Sequence, residues 1–183
     1  MMPRATRAAA VKTVLFTVVV PGTTTVLLPW LVVEATGSAA PGRWPFAGPF
    51  GLVAIAAGVL LYAWCATSFV RIGRGTPAPI DPPRRLVTSG PYRLTRNPMY
   101  VAVVSVAAGE GLFFGSWPLL CYALILLAVF DAFVRLHEEP TLARQFGTAY
   151  EQYCHRVPRW LGCARRGGND RAERGCIEPP KGA

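Results

Sequence analysis

The 183-residue sequence predicts an all-α fold, a polytopic membrane helical bundle of about four transmembrane helices plus a C-terminal interfacial helix. Three observations predict it. Apolar residues make up 52% of the chain and its mean hydropathy is +0.33. They gather in blocks instead of alternating, which is the pattern of spanning helices and not of half-buried strands. The Lys and Arg residues fall beside alternate ends of those blocks, as the positive-inside rule requires of a multi-pass protein.

The first block covers about Val11–Val33 (11–33) and the second about Phe50–Val70 (50–70). The third runs over roughly Met99–Phe114 (99–114) and the fourth over roughly Leu119–Leu136 (119–136). A helix needs about 20 residues at ~1.5 Å each to cross ~30 Å of hydrocarbon, so the last two are a little short. Pro21-Gly22 predicts a kink in the first block, because proline lacks the helical N–H and clashes with the preceding turn. Gly37-Ser38-Ala39-Ala40 loosely resembles a cleavage site, but the apolar run before it is too long for a signal peptide and reads as an uncleaved span. Gly51, Ala54, Ala57 and Gly58 in block two form a small-residue face suited to close helix packing. Ala102, Ser105 and Gly109 repeat the pattern in block three.

Charge sets the expected orientation. Arg4, Arg7 and Lys12 precede block one, and six arginines (Arg71, Arg74, Arg84, Arg85, Arg93, Arg96) against one acid, Asp81, follow block two. Nine more Lys or Arg lie from Arg135 onward, whereas Glu34–Pro49 holds only Arg43 and Gly115–Pro118 has no charge. The expectation is a multi-pass integral protein of a bacterial-type inner or cell membrane, with both termini and the arginine loop cytoplasmic. The net charge of +9 then faces the lipid bilayer, whose cytoplasmic leaflet is acidic. Nucleic acid is not an expected partner, since no soluble face interleaves basic residues with stacking aromatics. The five cysteines (Cys65, Cys121, Cys154, Cys163, Cys176) form no CxxC pair and no His-rich cluster, so no metal site is expected.

Thr76–Pro83 holds four prolines in eight residues and reads as an extended strap. Pro98 sits where a first helical turn tolerates a missing N–H. After block four, Leu142, Phe146, Tyr150 and Tyr153 make one apolar face, predicting an interfacial helix over about 140–154 that folds back under the bundle. Arg144 and Glu151 make a fifth span costly there. Residues 1–161 are thus read as one membrane-embedded domain, and 162–183, rich in Gly, Arg and Pro, as a disordered cytoplasmic tail. Asp131 and Arg135, four residues apart, predict an intrahelical ion pair. Glu110, between two glycines toward the outer face, has no functional reading, and no sequence signal addresses oligomeric state.

One ordered set of residues carries a resemblance. Gly90-Pro91-Tyr92 leads to Arg96-Asn97-Pro98-Met99-Tyr100, then His137-Glu138-Glu139, then Phe146-Gly147, Tyr150, Tyr153 and Val157-Pro158-Arg159. In this order around two apolar blocks, the set resembles the membrane-embedded methyltransferase family that includes isoprenylcysteine carboxyl methyltransferase and the phospholipid N-methyltransferases. The resemblance covers roughly Gly73–Arg159, about half the chain. It implies S-adenosylmethionine as cofactor, bound between the arginine loop and the ends of the last helices. The family's Gly-x-Gly and Glu-Glu pair match Gly73, Gly75, Glu138 and Glu139, with His137 beside the pair. Its Arg-His-Pro region and C-terminal helix bring in Tyr92, Arg96, Pro98, Tyr100, Tyr150 and Arg159. The catalytic candidates so implied are Arg96, Tyr100 and Glu139. Two departures stand out: Asn97 replaces a common His, and Ala102 a common Gly.

The chemistry of such a site is definable from the ligand. Glu138 or Glu139 supplies an anion for the cofactor's amino group or ribose hydroxyls, and Arg96 or Arg159 a paired-donor cation for its carboxylate. Tyr92, Tyr100, Tyr150 and Trp160 offer flat walls for adenine, and Gly73 and Gly75 allow close backbone approach. Methyl transfer to a carboxylate needs positioning and exclusion of water but no base. An amine or phenol must lose a proton, for which His137, His155 and Glu139 are the nearby groups. A lipid-like or isoprenoid-like acceptor would enter sideways between spans. Blander roles exist for these residues: the glutamates also suit the positive end of a helix, and the arginines also serve as topology charges. Two other classes compete, a membrane NADPH-dependent reductase of the steroid-reductase type and a non-catalytic membrane scaffold.

Overall fold

The computed structural model describes residues 4–41, 43–69 and 86–160. Gly73, Gly75, the proline-rich stretch and the 162–183 tail lie outside the described residues. Every regular element among the described residues is helical. Helix α1 (Arg4–Gly22) passes through a π-helical turn, Thr23–Leu27, into α2 (Leu28–Thr36). Helix α3 spans Ala47–Ser68, α4 Pro98–Phe113 and α5 Trp117–Phe133. A second π-helical turn, Val134–Glu138, joins α5 to α6 (Glu139–Phe146), and α7 (Thr148–Arg156) closes the described chain.

Three helical stretches are long and apolar enough to cross a membrane: Thr13–Thr36, Ala47–Ser68 and Trp117–Phe146. Helix α4 is apolar but only 16 residues long, which at ~1.5 Å per residue is about 24 Å. The count of four spans is therefore approximate. Leu60, Leu124 and Ile125 expose 70%, 67% and 62% of their surface, as side chains do when lipid is the solvent. At the end of the bundle where α4 gives way to α5, Trp44 packs edge-on against Trp117 at 5.3 Å, the amphipathic pairing favoured at a membrane interface.

The small-residue faces meet as their sequence pattern predicts. A Cβ on Gly51 would lie 2.6 Å from the Gly109 carbonyl oxygen, and one on Gly58 would lie 2.7 Å from that of Ala102. As numbering rises along α3 it falls along α4, so the two helices run antiparallel with backbones in contact. The turn into α5 uses Gly115 at φ 60° and Ser116, whose hydroxyl accepts the Leu119 N–H.

After Pro21 the helix widens into its π-turn, and the hydroxyls of Thr24 and Thr25 donate to the Pro21 carbonyl at 3.1 and 2.8 Å. The helix expected over about 140–154 takes the form of two short helices, the first continuous with α5. Helix continues unbroken from α5 to Phe146, because the second π-turn lets the Glu139 N–H reach the Val134 carbonyl and the chain absorbs Pro140. The break falls instead at Gly147, whose φ of 52° and ψ of −130° suit a residue without Cβ. The apolar face does form, but across two short helices: Tyr150, Tyr153 and Val157 pack with Leu142, Phe146 and Leu86.

Candidate active site

The start of α4 organises the site. Gly90 takes φ 63° under the Trp64 indole, Pro91 opens a 3₁₀ turn, and Tyr92 is carried into the interior against Phe69 and Cys65. The Tyr92 ring meets Phe69 edge-on at 5.7 Å, and its backbone carbonyl accepts the Tyr153 hydroxyl at 2.7 Å. Burial holds the Tyr92 phenol well above its usual pKa, with Cys65 and Glu138 adding to the shift. Burial likewise raises Tyr150 and Tyr153. All three phenols stay protonated.

Residues 95–97 are tied to the segment after α7. The Arg159 carbonyl accepts from Thr95 Oγ1 at 2.9 Å and Asn97 Nδ2 at 3.0 Å, and the Pro158 carbonyl accepts from the Arg96 N–H at 2.9 Å. Asn97 thus works as an amide donor to a backbone oxygen, a task that needs no imidazole.

The two adjacent glutamates have separate partners. Glu138 Oε2 accepts the Tyr100 hydroxyl at 2.8 Å. Glu139 is clasped by Arg159 through two parallel bonds, Nε to Oε1 at 2.8 Å and Nη2 to Oε2 at 2.7 Å. Arg96 Nη1 joins Glu139 Oε1 at 3.0 Å and also donates to Cys154 Sγ at 2.7 Å. The bonds to Glu139 raise the Arg159 pKa further. Behind the clasp, Asp131 Oδ2 pairs with Arg135 as expected, and Asp131 Oδ1 accepts the Trp160 indole N–H at 2.7 Å.

A cleft opens on one side of this cluster. Tyr92, Arg96, Asn97, Tyr100 and Glu138 give it a polar wall. Val103 and Phe130, further along α4 and α5, join Phe16, Val20 and Pro21 of α1 as an apolar wall. The Tyr100 ring lies 4.7 Å from that of Phe130, where the two walls meet. Tyr62 also lines the cleft and shares a 2.9 Å hydrogen bond with Thr17.

The residues expected from the sequence fall into four groups. Tyr92, Arg96, Tyr100 and Glu138 line the cleft. Glu139 and Arg159 form the clasp, and Tyr150 packs in the core beside it. Pro98 is fully buried as the first residue of α4, and His137 is exposed with its ring 5.6 Å from Phe133. Gly73 and Gly75 lie outside the described residues. Sequence reasoning expects the first two spans as substrate walls but names no residue of the α1 wall, and it missed the Trp160–Asp131 bond and the Cys154 contact. The α1 residues are indistinguishable by type from lipid-facing ones, so no local signal marks them. Trp160 and Asp131 are each conspicuous, but nothing in their spacing pairs them.

The donor set fits S-adenosylmethionine. Glu138 offers the cleft a carboxylate that bonds only a phenol among the described residues. Arg96 Nε is a buried donor with no partner among the described residues. The aromatic rings supply flat walls. No group of three or more metal-ligating side chains occurs among the described residues.

A family model described as phospholipid methyltransferase matches residues 47–149, more than half of the chain. No curated protein and no solved structure matches it significantly.

Proposed function

The chain belongs to the phospholipid methyltransferase family, and from that premise we propose that it transfers a methyl group from S-adenosylmethionine to a lipid-like or isoprenoid-like acceptor at the cytoplasmic face of the membrane. The observation that carries the reading is the cleft at the start of α4. One wall holds Glu138, Tyr100 and Arg96, and the other is apolar and built from spanning helices.

Glu138 is the residue for the cofactor's ammonium group or ribose hydroxyls, and the Arg96 guanidinium for its carboxylate. Tyr92 and Phe69 are the rings for the adenine. When bound, S-adenosylmethionine supplies an electrophilic methyl group. The apolar wall takes the acceptor's hydrocarbon and excludes water, so that the acceptor's reactive atom is held in the cleft poorly solvated. A carboxylate acceptor needs nothing more from the chain. An amine acceptor needs its proton removed, and Glu138 is the carboxylate that faces the cleft. Glu139 is a weaker candidate than the sequence implied, because both its oxygens already accept from guanidinium donors.

The test is calorimetry on the full protein in nanodiscs with S-adenosylmethionine, a Glu138→Gln variant, and NADPH as control. Micromolar binding of the sulfonium cofactor, weakened in the variant, supports the reading. Binding of NADPH in its place would transfer the assignment to a reductase, and silence from both would favour a scaffold.

A further inference from the structure

We infer that Asp131 is a positioning residue: with Trp160 it anchors one end of a strap whose other end, Arg159 on Glu139, braces the π-helical turn that carries Glu138. The inference rests on the proposed function only for its ligand readout.

Asp131 has two oxygens with two different tasks. Oδ2 pairs with Arg135 one turn along the same helix, and Oδ1 takes the Trp160 indole from a distant segment. The first bond satisfies a helix charge locally. The second is long-range and directional, 29 residues apart in the chain.

Trp160 and Arg159 are neighbours, yet their side chains reach positions 131 and 139 of one continuous helix. Eight residues of helix span ~12 Å. The strap therefore grips that helix on both sides of the Val134–Glu138 turn. A π-turn closes i to i+5 bonds and is a local irregularity in the ladder. A two-point grip across it fixes the rotation of Glu138 relative to α5, and with it the approach of Glu138 to Tyr100. The strap's backbone also holds Arg96, through Pro158, and Arg96 in turn covers the Cys154 sulfur. Loosening Trp160 should therefore be felt at Glu138, Arg96 and Cys154 together.

Three variants separate the tasks in full-length protein in nanodiscs. Trp160→Phe keeps the ring and removes only the indole N–H. Asp131→Asn keeps an oxygen for the indole and removes the charge. Arg135→Gln removes only the local pair. Two readouts are taken: calorimetric affinity for S-adenosylmethionine, and the rate of maleimide labelling at Cys154, resolved from the other cysteines by peptide mass spectrometry. For Trp160→Phe the expected result is a Kd weakened about threefold to tenfold, from loss of a bond to a charged acceptor. Cys154 should label several-fold faster in the same variant. Asp131→Asn, which leaves the indole only a neutral acceptor, should move both readouts in the same direction by a smaller amount, whereas Arg135→Gln should stay near the parent in both.

Unchanged affinity and labelling in Trp160→Phe would overturn the inference, even if its apparent Tm fell, since that pattern is a purely structural contribution. An Arg135→Gln variant that reproduced the Trp160→Phe effects would overturn it as well, because the local pair would then be the cause. If the parent protein binds no S-adenosylmethionine, the proposed function fails and the labelling rates alone decide the strap.

Discussion

Glu138 and Glu139 should differ in how the same substitution affects stability. Glutamine at 139 removes the charge that holds two guanidiniums, at 2.7–2.8 Å to Arg159 and 3.0 Å to Arg96. Losing one partner of a fully buried pair costs about 3–5 kcal/mol; with the side chains of Arg96, Glu139 and Arg159 14%, 19% and 28% exposed, solvent screening trims that to roughly 2–3 kcal/mol. For a chain of this size such a loss lowers the apparent Tm by about 5–10 °C. Glutamine at 138 still offers Tyr100 an oxygen, so stability should move by less than about 2 °C, while affinity for a cationic donor falls roughly tenfold to a hundredfold with the lost charge. Thermal scans in detergent and calorimetry in nanodiscs read the two effects separately. A Glu139→Gln protein as stable as its parent would refute the clasp. A Glu138→Gln protein that binds the donor normally would refute the division of labour between the acids.

Two further outcomes test the scaffold. Gly109→Val should destabilise by about 1–3 kcal/mol through overpacking, because a Cβ there lies 2.7 Å from the Gly51 carbonyl and 2.9 Å from the Ile55 nitrogen; Gly48→Ala, with nothing within 4 Å, is the control and should be neutral in the same thermal scan. Asn97→His should keep donor affinity if its ring N–H replaces the amide bond to the Arg159 carbonyl, whereas Asn97→Ala should lose about 1 kcal/mol of stability with that bond. Equal stabilities for the two would show that the 3.0 Å contact contributes nothing.

What was legible in the sequence depended on one-dimensional signals. Blocks of apolar residues marked the long helices, and the glycines at 51, 58 and 109 announced the α3–α4 contact, because each signal repeats along a single element. Of the residues that the family pattern names, Tyr92, Arg96, Tyr100 and Glu138 line the cleft, and the others do not or lie outside the described residues. The sequence places a helix start near position 140, where the chain is continuous with α5. A π-turn before it changes which carbonyl each N–H seeks, and hydropathy does not record that choice. The break at Gly147 is present in the sequence as a glycine between Phe146 and Thr148, but its backbone angles follow only from how α7 must turn to bury Tyr150 and Tyr153. Partner choice was the least legible property. Nothing in Glu138-Glu139 says which acid meets a phenol and which meets arginines.

Helical geometry explains why the pair divides at all. Neighbouring residues on a helix point about 100° apart, so two adjacent acids do not share one face. Given that Tyr100 and the cleft lie on one side, the second acid must find its own cations or be left partly buried and unpaired. Arg159 and Arg96 fill that need, and Arg96 does so with Nη1 alone, which leaves its Nε directed elsewhere and unpartnered among the described residues. Arg96 is thus shared between the clasp and the cleft. A ligand that meets Arg96 in the cleft engages a side chain already fixed by Glu139, and through the Arg96 N–H by the Pro158 carbonyl. Affinity in the cleft is then coupled to the integrity of the strap, so substitutions at Arg159 or Glu139, which do not line the cleft, should weaken binding without removing any group that faces the ligand.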